Sequence, residues 1–435
     1  MSMKPRPYER TQTVMNEAFT PRSARAVVSR VARSVLCLLV LVPVLVPASA
    51  GAGRPDTASV KISTLPAVVT AISFSTSVWD VAVDPTRHRA FVTTAPDNFF
   101  AKASDLRAGR VSVVHLKNNA VGRHVTTGLQ PVQTVFDSRD NRFFTVDGAG
   151  YSPTAPGRNL EVFSGTTFKR LAVMKPPTNG VTEMGGVLSP MIYDPVNNNV
   201  YLVAGNQIDI INGSSLKVTG TIPVANVNTG MAIDTKTQLL YVTLYSQAAV
   251  AVVDLRTNKI VNAAIEVGHP ATPAGCYAGG HCKNQPSGTD GVSLNTRTGK
   301  LYAANVNDGN IAVVDYRTDT AKGTILPGLG QGTNMIAVDS AANILYVSNF
   351  DVGAISVIDG RTDRTIGTLR LKSITGPIAV DPAAHRLYAV TDNGIDIYGA
   401  HKKEPFASTL TVLSTCSVNR WVSSRYHVTG LLNGC

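Results

Sequence analysis

Cys276 and Cys282 stand in a C-x5-C arrangement, with His281 beside the second and His269 upstream, while Cys416 and Cys435 lie near the C-terminus. Mixed Cys and His donors would suit zinc, but the spacing and its Gly and Tyr neighbours fit no usual zinc pattern. Disulfides are the simpler chemistry for this even set in an oxidising compartment. Four cysteines allow three connectivities. The local one, Cys276 with Cys282 and Cys416 with Cys435, needs no long-range coincidence. Hydrolysis would need a base or metal-bound water and a group that stabilises developing charge. Asp80, Asp290, Glu183 and His269 could offer such groups, yet no nucleophile-to-base spacing joins them. The glycine-rich stretches GLGQGTN and GVTEMGG precede strand-like runs, whereas a phosphate loop opens a helix. They read as turns.

The N-terminus shows where this chemistry would operate. Arg22, Arg25, Arg30 and Arg33 precede the apolar run Val35 to Val46, which ends in Pro47-Ala48-Ser49-Ala50. Positive flank, apolar core and A-x-A site in that order predict a secretory signal over residues 1–50, cleaved after Ala50. The run is shorter than the roughly 20 residues a membrane span requires. No Arg-Arg pair marks a twin-arginine signal and Cys37 lies inside the run, so the Sec route to a secreted, periplasmic or envelope location is expected. Seven of the 40 Lys/Arg and two of the 29 Asp/Glu lie in residues 1–50, which leaves 33 basic and 27 acidic groups and a net charge of +6. Spread thinly and without a run of like charges, +6 is a weak footprint for nucleic acid or anionic lipid.

Internal repetition organises the rest. AVDPTRHRAFVTT places Asp84 six residues before Ala90, and the same offset returns in VFDSRDNRFFTV, IYDPVNNNVYLV, AIDTKTQLLYVT, SLNTRTGKLYAA, AVDSAANILYVS and AVDPAAHRLYAV. The seven anchors are Asp84, Asp137, Asp194, Asp234, Asn295, Asp339 and Asp381. Each ends a short apolar strand and opens a turn in which its side chain can bond the backbone two residues on. A second strand follows. Runs such as RVSVVHL, NLEVFS, QIDIIN, AVAVVDLRT, IAVVDYRT, AISVIDGRT and GIDIYG supply a third, and KIVNAAIEV and RTIGTLRL a fourth. Four antiparallel strands about every 40 residues are the pattern of WD40-like propeller blades. No stretch sustains the apolar spacing of an amphipathic helix for more than a turn or two. The predicted fold is all-β, a seven-bladed β-propeller of four-stranded antiparallel blades, forming a single domain after the signal.

LYVTLYSQAAVAVVDLRTNKI, LYAANVNDGNIAVVDYRTDT and LYVSNFDVGAISVIDGRTDRTIGTL resemble the YVTN repeats of YncE-like seven-bladed propellers. The resemblance covers most of residues 78–400 and is clearest in the fourth to seventh repeats. FVTT, FFTV and YLVA replace the signature in the first three. It implies a propeller and an export habit, and no shared reaction.

The expected organisation is residues 51–77 as an N-terminal segment with a ring-closing strand, 78–413 as the propeller, and 414–435 as a tail pinned by Cys416 and Cys435. Two strands compete to close the ring, Val68 to Phe74 and Thr409 to Leu413. Successive anchors are 53, 57, 40, 61, 44 and 42 residues apart, so the first, second and fourth units carry insertions. These fall at Thr94 to Gly109, Gly148 to Gly157, Met174 to Leu188 and Gly268 to Asp290. In an antiparallel blade all four connections leave by one face. Loops on a rigid scaffold carry recognition, and Phe99, Phe100 and Tyr151 would present aromatic surface there or fold under their own loops.

Residues four to six before each anchor should ring the mouth of the central channel on that face. They include Trp79, Asp80, Gln133, Ser189, Asn228, Thr229, Asp290, Asn334 and Thr375. The ring is polar and mostly uncharged. Asp80 and Asp290 with Asn and carbonyl oxygens would be needed to make a calcium shell, while turn capping or solvation accounts for the same residues. No cofactor is predicted. The function expected is binding or scaffolding on the loop-rich face by an exported monomer without a stable membrane span, its partner a protein, glycan or small ligand. A lactonase-like or metal-assisted hydrolase is the alternative, and a nucleic-acid binder the third reading. Too few tryptophans are present for a quinone-dependent propeller, since only Trp79 and Trp421 occur.

Overall fold

The computed structural model describes residues 63–96, 107–147, 159–175, 191–204, 206–224, 227–270, 286–371, 374–392 and 408–435. Their strands form seven antiparallel sheets of four. The first strands of the blades are Ser77–Asp84, Pro131–Asp137, Met191–Asp194, Val227–Asp234, Thr289–Asn295, Thr333–Asp339 and Ile374–Asp381. Each touches the first strand of the next blade, and the seventh touches the first, so these seven line a closed ring. The protein is an all-β, seven-bladed propeller.

The anchors act as the sequence predicts. Main-chain N–H groups two residues on donate to Oδ1 of Asp137, Asp194, Asp234, Asn295 and Asp381, and groups three residues on donate to Asp84 and Asp339. The residue four past each anchor is left-handed in every blade: His88, Asn141, Asn198, Gln238, Gly299, Asn343 and His385. Such a conformation disfavours side chains other than Gly, Asn and Asp. The anchor's side-chain bonds therefore help hold a turn that the backbone alone resists.

Seven places past the anchor stands an aromatic ring: Phe91, Phe144, Tyr201, Tyr241, Tyr302, Tyr346 and Tyr388, each 0% exposed. These rings and the β-branched residues around them form seven apolar clusters, essentially one at each seam between neighbouring blades. A single blade has two apolar faces and can bury neither alone. Burial against both neighbours drives the ring to form.

The two closing candidates do not compete, because both enter the seventh sheet. Its order from the outside is Ala67–Phe74, Ser408–Ser414, Arg386–Asp392 and Ile374–Asp381. The third place expected of GIDIYG is taken by Ser408–Ser414, and residues 393–407 lie outside the described residues. Both runs alternate correctly for a strand, but Leu410, Val412 and Leu413 reach 0% exposure in the seam. Proximity to the second strand favoured the wrong run.

The tail carries an α-helix that the sequence reading did not anticipate, Cys416–Tyr426. Val418 and Val422 pack into the cluster between the sixth and seventh blades. Asn419 Nδ2 donates to His385 Nδ1 at 2.9 Å, which leaves His385 Nε2 to donate to the Asn433 carbonyl at 2.6 Å. The Tyr426 hydroxyl bonds Asp359. Cys416 and Cys435 are joined, with Cα atoms 5.5 Å apart. His385 and Asp359 belong to anchor-side turns, so the tail clasps the face opposite the insertions. Cys276 and Cys282 lie outside the described residues.

Candidate functional site

Strand order fixes which connections share a face. Second-to-third and blade-to-blade connections leave where the first strands begin, and residues 97–106, 148–158, 176–190 and 271–285 all fall in such connections. The strand assignment of the seventh blade adds a fifth, residues 393–407, between Asp392 and Ser408. Phe99, Phe100, Tyr151, Glu183, Ser189 and His281 lie outside the described residues, as does the signal segment.

The neck of the longest insertion is firmly fastened. His269 N–H donates to Ser287 Oγ at 2.8 Å and Ser287 N–H donates to the His269 carbonyl at 2.9 Å. Asn305 Nδ2 reaches the Val267 carbonyl and Asn307 Nδ2 the Pro286 carbonyl, each at 2.8 Å. The His269 ring lies 3.1 Å from Asp308 Oδ1. These bonds make His269 a fastening residue at the loop's base.

At the channel mouth six blades share a device that alternation alone does not reveal. Strand register shifts between Val78 and Asp80, Pro131 and Gln133, Val227 and Met231, Thr289 and Val292, Thr333 and Ile336, and Thr375 and Ile378. An extra residue at such a bulge re-aims its neighbours and leaves backbone groups to be satisfied. Thr243 Oγ1 accepts from Gly230 N–H at 2.9 Å, and Ser348 Oγ from Met335 N–H at 3.2 Å.

The bulges divide the mouth into two unlike sectors. In the first two blades the side chain four before the anchor reaches across to the next first strand. Asp80 Oδ2 accepts from Thr134 N–H at 3.0 Å, and Gln133 Oε1 accepts from Met191 N–H at 2.5 Å. Trp79 is 8% exposed and packs with Ala95, Val132 and Phe144, so its ring belongs to the core. In the fourth and fifth blades the same position is glycine. A Cβ on Gly230 would stand 2.2 Å from the Asp290 carbonyl oxygen, and one on Gly291 2.3 Å from that of Asn334. Glycine is required there so that neighbouring main chains can meet.

Where the fifth blade of that second sector meets the sixth stand two acceptors without donors among the described residues. Asp290 is 7% exposed, and its Oδ1 and the Oδ1 of Asn334 are buried without a hydrogen-bond partner among the described residues. Burial pushes the Asp290 carboxyl up to about 7. It pushes Asp80 up to about 6, opposed by the N–H groups of Thr134 and Val81. Both therefore hold their protons to higher pH than an exposed Asp does. Asn228, Thr229 and Thr375 lie on first strands, but their side chains are outside the described ones. Asp80 and Asp290 stand on blades one and five, and no group of three or more His, Cys, Asp or Glu able to hold a metal occurs among the described residues.

The sequence reading missed a second acidic pair, Asp147 and Glu161 in the second blade, each 3% exposed. One strand end apart in the fold, they are separated by an insertion in the chain, so spacing gave no sign of them. No known family model matches the chain, and no curated protein matches it either. No helix among the described residues is long and apolar enough to cross a membrane.

Proposed function

We propose that this protein is an exported binding or scaffold propeller that holds its partner on the insertion-bearing face, with the sector of blades five and six at the channel mouth as the point of contact. The observation that carries this reading is asymmetry. Every long insertion belongs to one face, while the other has short capped turns and the clasped tail. Recognition normally resides on such loops.

The donor-less oxygens of Asp290 and Asn334 favour a ligand rich in hydroxyl or amino donors, such as a glycan, because buried acceptors left unpaired are costly until a donor arrives. A disulfide between Cys416 and Cys435 suits an oxidising compartment, in keeping with the signal-like residues 1–50. The likeness of repeats four to seven to YVTN propellers supports membership of that group and supplies no reaction. Asp290, pushed up to about 7 by burial, exchanges its proton near neutral pH, which also favours the hydrolytic alternative, in which it would serve as an acid or base.

Replacing Phe99, Phe100 and Tyr151 with Ser tests the placement. Binding to a glycan array should fall at least tenfold in the triple variant while its thermal midpoint stays near that of the wild type. Unchanged binding would contradict the placement.

A further inference from the structure

Asp147 ends the second strand of blade two, Arg142–Asp147, and Glu161 lies in the third, Leu160–Ser164. Thr145 pairs with Glu161 and Val146 with Leu160, which puts Asp147 opposite Asn159 and makes the two acids diagonal neighbours on one sheet face. That face is turned to blade one. Gly128, in its fourth strand Ala120–Leu129, donates its N–H to Glu161 Oε2 at 3.0 Å. It also lies so close that a Cβ there would stand 2.2 Å from Asp147 Oδ2.

The charges around the pair do not balance. Arg170 Nη2 stands 3.2 Å from Glu161 Oε1 and donates to the Thr126 carbonyl of blade one at 3.2 Å. Asp147 receives one bond, from Asn159 Nδ2 to Oδ2 at 3.2 Å, and its Oδ1 is buried without a partner among the described residues. Among the described residues one guanidinium therefore serves two buried carboxylates. Neutral Asp147 with the Glu161–Arg170 ion pair has no net charge, whereas ionised Asp147 leaves one buried negative charge unpaired. The repeat does not need acids here, since Ala251 and Ala312 occupy the place of Glu161 in blades four and five.

We infer that the seam between blades one and two is a proton-linked joint, closed while Asp147 holds its proton and loosened at Gly128 and Thr126 when that proton leaves. Burial and the neighbouring Glu161 push the Asp147 carboxyl up to about 7, and burial raises Glu161 as well, against Arg170 and the Gly128 N–H. The closed seam thus binds a proton more tightly than the open one. Its stability is full below the ordinary Asp range, falls as pH rises toward about 7, and levels off above.

Amide exchange at Gly128, followed by NMR and corrected for intrinsic base catalysis, reads the joint directly. Protection should fall by up to about tenfold per pH unit between about pH 5 and 6.5, then flatten above about pH 7. D147N should remove this dependence, and E161Q should move the plateau to lower pH. The Asp147 carboxyl 13C shift in the wild type should titrate with the same midpoint, which keeps the test valid if a variant fails to fold. Protection independent of pH, an identical profile in D147N, or recovery at about pH 8 on adding calcium alone would overturn the proposal.

Discussion

Buried polar atoms in this ring differ in whether they have partners, and that difference decides what a substitution does. Tyr316 Oη donates to Asp234 Oδ2 at 3.1 Å across the seam between blades four and five. Tyr302 Oη, 0% exposed at the residue level, has no partner among the described residues. Losing a made hydrogen bond costs about 1 kcal/mol, and leaves Asp234 short of a donor, whereas removing an unpaired hydroxyl is neutral or stabilising. Y316F should therefore lower the unfolding free energy by about 1 to 2 kcal/mol, and Y302F should leave it unchanged or raise it, by chemical denaturation. Equal losses in both would contradict the assignment. At this scale the sequence was legible where chemistry is local. The anchors Asp84 to Asp381 announced their own caps, because a side chain and the N–H it accepts from lie two or three residues apart. The roles of Asp80, Gln133, Asp147 and Glu161 depend on the neighbouring blade and carry no local mark.

Among the elements, the tail helix and the bulges were hidden for different reasons. Val418, Trp421, Val422 and Tyr426 have helical spacing for little more than two turns, too short a run to stand out from a β-rich chain. The bulges interrupt a period of two by one residue, or by two in the fourth blade, which is indistinguishable in sequence from the strand's end. The predicted pairing of Cys416 with Cys435 is present, and it holds the helix against His385, Asp359 and the sixth seam. Closing a loop of this length, 19 residues in sequence separation, limits the unfolded chain by about 3 kcal/mol. Reduction, or C435S, should lower stability by about 2 to 4 kcal/mol and raise exchange at Val418 and Val422 first. Early exchange in the first blade instead would show that the clasp lies elsewhere.

For the whole molecule, seven anchors with one offset predicted the architecture, and the structure adds how the ring is fastened. Ala67–Phe74 pairs with Ser408–Ser414, so the first described strand and the last complete one blade together. These two strands complete the outer half of blade seven, so the ring is fastened by pairing between segments far apart in sequence. The strands that flank the insertions end on one face, with the pair Asp290 and Asn334, and the clasp is on the other. The candidate site was only partly legible, because Asp290 and Asn334 stand on separate blades that the fold alone brings side by side. The claim that this mouth binds a donor-rich ligand is tested most directly by thermal shift on the protein from residue 51 onward, with glycans, lactones, calcium and single-stranded DNA as probes. A glycan should raise the midpoint of the wild type, and D290N combined with N334A should abolish the rise. A rise of equal size in that double variant, or one produced by single-stranded DNA alone, would contradict it.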